Sequence, residues 1–140
     1  MESNTKPSLK ILVALFVATA MTSGANAQQL TGTLKKIKDT GSIVIGHRES
    51  SIPLSYYDDK QKVVGYAVDL CLRIVEAVKT HLKIDKIDIK YNPVTSATRI
   101  PLMANGTIDL ECGSTTNNLT RQKQVAYTIT HFVTATRFVS

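Results

Sequence analysis

Arg99 follows three hydroxyl side chains, Thr95, Ser96 and Thr98, in the run Thr95-Ser96-Ala97-Thr98-Arg99-Ile100-Pro101. The run comes after a strand-like segment, Ile87-Asp88-Ile89-Lys90-Tyr91. It opens a short helix-like segment that stops at Asn105-Gly106. A helix N-terminus presents unpaired backbone N–H groups and the positive end of the helix dipole. Arginine adds a planar fork that grips a carboxylate through two parallel hydrogen bonds. These are the parts of an anion seat. Taken alone, the run also reads as a capped helix with a solvated arginine, so its surroundings decide.

Those surroundings are set by alternating elements. Ser42-Ile43-Val44-Ile45-Gly46 is a β-branched run of the buried-strand kind. It delivers His47, Arg48, Glu49 and Ser50 at its end. Ala67 to Leu82 reads as a helix, with apolar residues at 67, 71, 74, 75, 78 and 82 on one face. Residues 87–94 form a second strand, and Thr107 to Cys112 a third, ending in Gly113-Ser114-Thr115-Thr116-Asn117-Asn118. The order β, α, β, α, β predicts an α/β fold with a parallel sheet and right-handed crossovers. Ligands bind such sheets outside the carboxyl ends of the strands. Three polar segments therefore converge on one edge: His47 to Ser50, Thr95 to Arg99, and Gly113 to Thr116. Two guanidinium groups with several hydroxyls and N–H donors suit a small ligand carrying two carboxylates. No nucleophile–base pair stands out, so no enzyme is expected.

The remaining elements frame this core. Thr33 to Lys38 reads as a short helix with Leu34 and Ile37 inward. Pro53 cannot donate to a strand ladder, so the chain leaves the sheet there. Tyr56 to Lys62 is a polar turn, and Val63 to Tyr66 closes a small hairpin. Val125-Ala126-Tyr127 and Phe132 to Val139 read as further strands. Asp69 and Asp109, beside element ends, read as structural rather than ligand contacts. Cys71 falls on the apolar helix face and Cys112 in a strand, which reads as two buried free thiols, although export would permit a disulfide. His47, His81 and His131 are far apart, and neither a metal nor a cofactor is expected.

The chain of 140 residues carries a formal net charge of +6. Its basic residues are scattered, and the one cluster, Lys35, Lys36 and Lys38, lacks interleaved aromatics. Nucleic acid is not an expected partner. The N-terminus has its own signature. Lys6 and Lys10 precede the apolar run Ile11 to Met21, and Ala25-Asn26-Ala27 fits a small-x-small cleavage pattern. This predicts a signal peptide over residues 1–27, cleaved after Ala27, and a periplasmic mature chain. The apolar run is shorter than the roughly 20 residues of a bilayer span.

Four motifs are similar to a known family. They are Gly46-His47-Arg48-Glu49-Ser50-Ser51, Val64-Gly65-Tyr66-x-x-Asp69, Arg99-Ile100-Pro101-Leu102-x-x-Asn105-Gly106-Thr107-x-Asp109, and Glu111 to Asn118. They resemble the first lobe of the periplasmic glutamate/aspartate-binding proteins, which belong to solute-binding family 3 and serve polar amino-acid ABC importers. The resemblance runs from about Leu34 onward. It implies a periplasmic-binding-protein-like lobe that binds glutamate or aspartate and delivers it to the importer's membrane permease. It implies that Arg99 clamps the ligand α-carboxylate with the Ser114 hydroxyl and the Thr116 backbone N–H. Arg48 and Ser96 would engage the side-chain carboxylate. Residues 28–140 would then be an incomplete first lobe, ending in the first inter-lobe crossing strand, Thr134 to Ser140. No carboxylate is assigned to the ligand's ammonium. Two alternatives stand beside this reading: an enzyme or sensor on the same fold, such as a dehydratase or cell-wall lytic enzyme, and a truncated fragment without function.

Overall fold

The computed structural model describes residues 30–135. The expected signal peptide and the end of the expected crossing strand lie outside them. The elements are α1 (Gly32–Thr40), β1 (Ser42–His47), β2 (Ser50–Ser51), β3 (Ser55–Tyr57), β4 (Val63–Val64), α2 (Tyr66–Leu82), β5 (Asp88–Pro93), α3 (Arg99–Ala104), β6 (Leu110–Cys112) and α4 (Leu119–Gln122).

A three-stranded parallel sheet in the order β5-β1-β6 organises the chain. Its central strand, β1, is the β-branched run, and Ile43 and Ile45 from it are fully enclosed. The core also takes Ile37 from α1, Cys71, Val75 and Leu82 from α2, and Ile87 and Cys112. The helical period of α2 thus turns most of its apolar stripe onto the sheet, but Ile74, expected on that face, stays exposed. A second, antiparallel sheet, β2-β3-β4, carries the expected hairpin. Gly65 joins that hairpin to α2 at φ +132°, where a Cβ would stand 2.5 Å from the Leu54 carbonyl oxygen. Only glycine makes that close turn without strain.

Asp109 confirms its structural reading. Its Oδ2 accepts from the Val44 N–H at 2.9 Å, and its Oδ1 accepts from Lys36 Nζ at 2.9 Å. Its own N–H donates to the Val44 carbonyl. The carboxylate thus takes over the ladder where β6 has not yet begun, and ties α1 to it. With a side chain only 2 % exposed, Asp109→Ala leaves the Val44 donor unpaired. We expect a loss of about 1.5–3 kcal/mol in chemical denaturation.

Two expectations are corrected. Residues 125–127 and 132–135 are not strands. Their residue types favour extended structure, but a strand needs a neighbour to bond. Among the described residues β6 pairs with β1 alone. The segment instead rests against α2, where the Tyr66 hydroxyl donates to the His131 carbonyl at 3.2 Å. Second, Cys71 and Cys112 are not free thiols. They form a disulfide between α2 and β6, with Cα atoms 6.2 Å apart. Both lie on facing surfaces of the same packed layer, a proximity that sequence spacing does not reveal.

Candidate functional site

The three strand ends meet on one edge, because all three strands run parallel. β1 hands over to Arg48, β5 to the Thr95–Thr98 turn and α3, and β6 to Gly113. The turn uses two of its hydroxyls on itself. Thr95 N–H donates to Thr98 Oγ1 at 2.9 Å, and Thr98 N–H donates to Thr95 Oγ1 at 3.1 Å. Ser96 and Arg99 are left to build the site. Arg99 opens α3, a helix of six residues, so the guanidinium carries the positive charge rather than a long helix dipole.

Arg99 is 5 % exposed, which removes the reading as a solvated arginine. Its Nη2 donates to Ser96 Oγ at 2.9 Å, and its Nη1 to Thr115 Oγ1 at 2.5 Å. Arg48 Nη1 donates to the same Ser96 oxygen at 3.1 Å. One neutral hydroxyl therefore bridges two guanidinium groups. Among the described residues Arg48 has no carboxylate within ion-pair distance. Two guanidinium groups held this close repel one another, and an anionic ligand relieves that repulsion.

The carboxylate nearest this pair is Glu111, whose Oε1 lies 3.8 Å from Arg99 Nη1. Burial pushes the Glu111 carboxyl above its ordinary pKa. The Thr115 hydroxyl and the guanidinium groups of Arg99, Arg48 and Arg121 pull it back. Burial lowers Arg99, Glu111 opposes this, and Arg48 adds to it. Gly113 closes the space between Glu111 and Arg48. A Cβ there would meet Glu111 Oε1 at 2.6 Å and Arg48 Cγ at 2.8 Å.

Arg48, Ser96 and Arg99 thus form one hydrogen-bonded chain. Ser114 lies apart from it, its hydroxyl 3.4 Å from that of Ser51. Thr116 is exposed, and its carbonyl accepts from Arg121 Nη1 at 2.9 Å. Sequence reasoning missed Thr115 and Glu111. The signal for Glu111 was a charged residue between the apolar strand positions Leu110 and Cys112, which needs a counter-charge once buried. His47, beside Arg48, belongs to the core. Its ring meets Tyr57 and Tyr91 edge-on. Its Nδ1 reaches the Arg48 carbonyl at 3.2 Å, which only a protonated Nδ1 can do. Its Nε2 lies 3.3 Å from the Tyr57 hydroxyl.

Residues 43–140 match the bacterial extracellular solute-binding proteins, family 3. The chain belongs to this family. It is 52 % identical over 135 residues to an L-glutamate/L-aspartate-binding protein of Pseudomonas aeruginosa, covering 96 % of this chain and 44 % of that one. It is 58 % identical over 108 residues to a glutamate/aspartate import solute-binding protein of Salmonella typhimurium, covering 77 % and 36 %. The family 3 chain thus spans less than half the length of these relatives, which are solute-binding proteins. Among solved structures, a cysteine-binding protein from Campylobacter jejuni aligns at TM-score 0.59 and 26 % identity, over 67 % of this chain and 36 % of that one. The arginine-bound form of domain 1 from TmArgBP aligns at TM-score 0.61 and 24 % identity, over 71 % of each. The shared fold is that of periplasmic binding proteins. Among the described residues no helix is long and apolar enough to cross a membrane.

Proposed function

We propose that this chain forms one side of a binding site for glutamate or aspartate in an exported protein that delivers its ligand to an ABC importer. One observation carries the reading: Ser96 bridges the guanidinium groups of Arg48 and Arg99 at the carboxyl ends of parallel strands. The names of the relatives agree with it. Arg99 takes the ligand α-carboxylate, with help from the Ser114 hydroxyl and the Thr116 N–H. Arg48 and Ser96 take the side-chain carboxylate. Residues 28–140 are then an incomplete first lobe, the rest of the two-lobe protein supplies the remaining contacts, and the importer's permease is the membrane partner. The chain is exported to the periplasm, where its signal peptide is cleaved after Ala27. The ligand leaves unchanged, because the site binds through charge and hydrogen bonds alone.

Calorimetric titration of the mature, complete protein tests this. Glutamate and aspartate should bind at least about tenfold more tightly than glutamine, as a charge-assisted pair is roughly twice as strong as a neutral one. Equal affinity for glutamate and glutamine would remove the two-carboxylate reading.

A further inference from the structure

Glu111 stands where a charged residue is costly. Its side chain is 15 % exposed, and its Oε1 has no hydrogen-bond partner. Arg99 Nε is unpartnered as well. The two side chains approach to 3.8 Å, close enough for charge attraction but too far for a hydrogen bond. Glu111 therefore neutralises Arg99 without occupying its fork. Three guanidinium groups act on it: Arg99 from α3, Arg48 after β1 and Arg121 from α4. A cavity of about 940 Å³ opens beside the pair. Arg73 of α2, Asp109, Tyr127 and His131 bring the other titratable groups to its walls.

We propose that Glu111 is the resident counter-charge of Arg99 and takes up one proton when a ligand carboxylate settles on that guanidinium, so that ligand binding is coupled to proton uptake. The inference rests on the acidic amino-acid reading above. In the empty site the Glu111 carboxylate offsets the buried Arg99 charge. A ligand carboxylate in the fork takes over that duty at shorter range. Two carboxylates then share one guanidinium, and like charges at such range disfavour joint ionisation. The ligand also displaces water, which further disfavours the buried anion. Burial already holds Glu111 above its ordinary value, so the additional shift needed for protonation is reduced. The proton comes from solvent through the cavity, adds to a carboxylate oxygen and leaves a neutral carboxyl. Glu111 is a positioning residue in this scheme, acting on the ligand through Arg99.

The test is calorimetric titration of glutamate into the mature, complete protein between about pH 5 and pH 8, in buffers of differing ionisation enthalpy. The expected result is net proton uptake on binding. Affinity should rise as pH falls, by at most about tenfold per pH unit for one linked proton. Glu111→Gln should remove both the uptake and that slope. If this variant does not fold, the buffer dependence of the native protein still decides. Glutamate binding without proton exchange overturns this inference and leaves the binding reading intact. Proton uptake that persists in Glu111→Gln overturns it too. Absence of glutamate binding overturns both.

Discussion

Arg99→Met should weaken glutamate and glutamine together, whereas Arg48→Met should erase the preference between them. Both ligands present the same α-carboxylate, and Arg99 is the buried guanidinium that fits it, held by Ser96 and Thr115. Truncating one partner of a buried charge pair costs about 2–5 kcal/mol, a factor of roughly 30 to several thousand in affinity. Arg48 is only half-buried and shares Ser96 with Arg99. Its loss should cost glutamate at least about tenfold and glutamine less, since glutamine brings no second charge. Arg99→Met also strands Glu111 without its cation, so a loss of folding would imitate a loss of binding. Arg99→Lys separates the two: it keeps a positive charge for Glu111 but cannot reach Ser96 and Thr115 with one planar fork. It should retain most of the thermal stability and still bind both ligands poorly. The competing account makes Arg48 a packing residue at the sheet edge. That account predicts a lower melting temperature in Arg48→Met and an unchanged glutamate-to-glutamine ratio, and titration of both ligands into each variant distinguishes the two.

The parts of the structure that periodicity governs were legible in the sequence. The β-branched run of β1 and the apolar stripe of α2 each have one way to bury their side chains. Two βα units in series then leave a parallel sheet as the natural solution. Parallel strands fix the edge where Arg48, the Ser96–Arg99 segment and Gly113 meet, so the place of the site followed from topology. What the sequence did not reveal depends on distances between elements. Nothing in the residue types says that Thr95 and Thr98 pair with each other and leave Ser96 to bridge two arginines. The join between Cys71 and Cys112 depends on how far α2 rotates over β6, which patterning fixes only to within a turn. Residues 125–127 and 132–135 illustrate the converse. Their extended propensity was read correctly as composition and wrongly as a strand, because a strand is a property of two segments. Glu111 had been read only as part of a motif; its role emerges once β6 is docked beside α3.

Removing the Cys71–Cys112 disulfide should destabilise the chain more than any other substitution outside the ligand site. The bridge joins residues 41 apart in sequence. Closing a loop of that size lowers the entropy of the unfolded chain by an amount worth about 4 kcal/mol on the loop-entropy scale. Domains are held by only about 5–15 kcal/mol in total, so this is a large fraction. Both sulfurs lie in the core, and the bond packs as well as it cross-links. The double variant Cys71→Ala/Cys112→Ala should therefore unfold at a clearly lower urea concentration than the oxidised protein, with a steeper transition because its unfolded chain, no longer cross-linked, exposes more surface. Reductant should shift the native protein toward the same midpoint and leave the double variant unmoved. The consequence reaches the ligand, because Cys112 sits between Glu111 and Gly113 at the end of β6. Once that end is free to move, Glu111 and Thr115 no longer hold Arg99 in one orientation, and binding should weaken before the fold is lost. An oxidised protein and a double variant with the same midpoint would mean that packing alone secures β6 against α2. The disulfide would then be dispensable, both for the core and for the arginine it steadies.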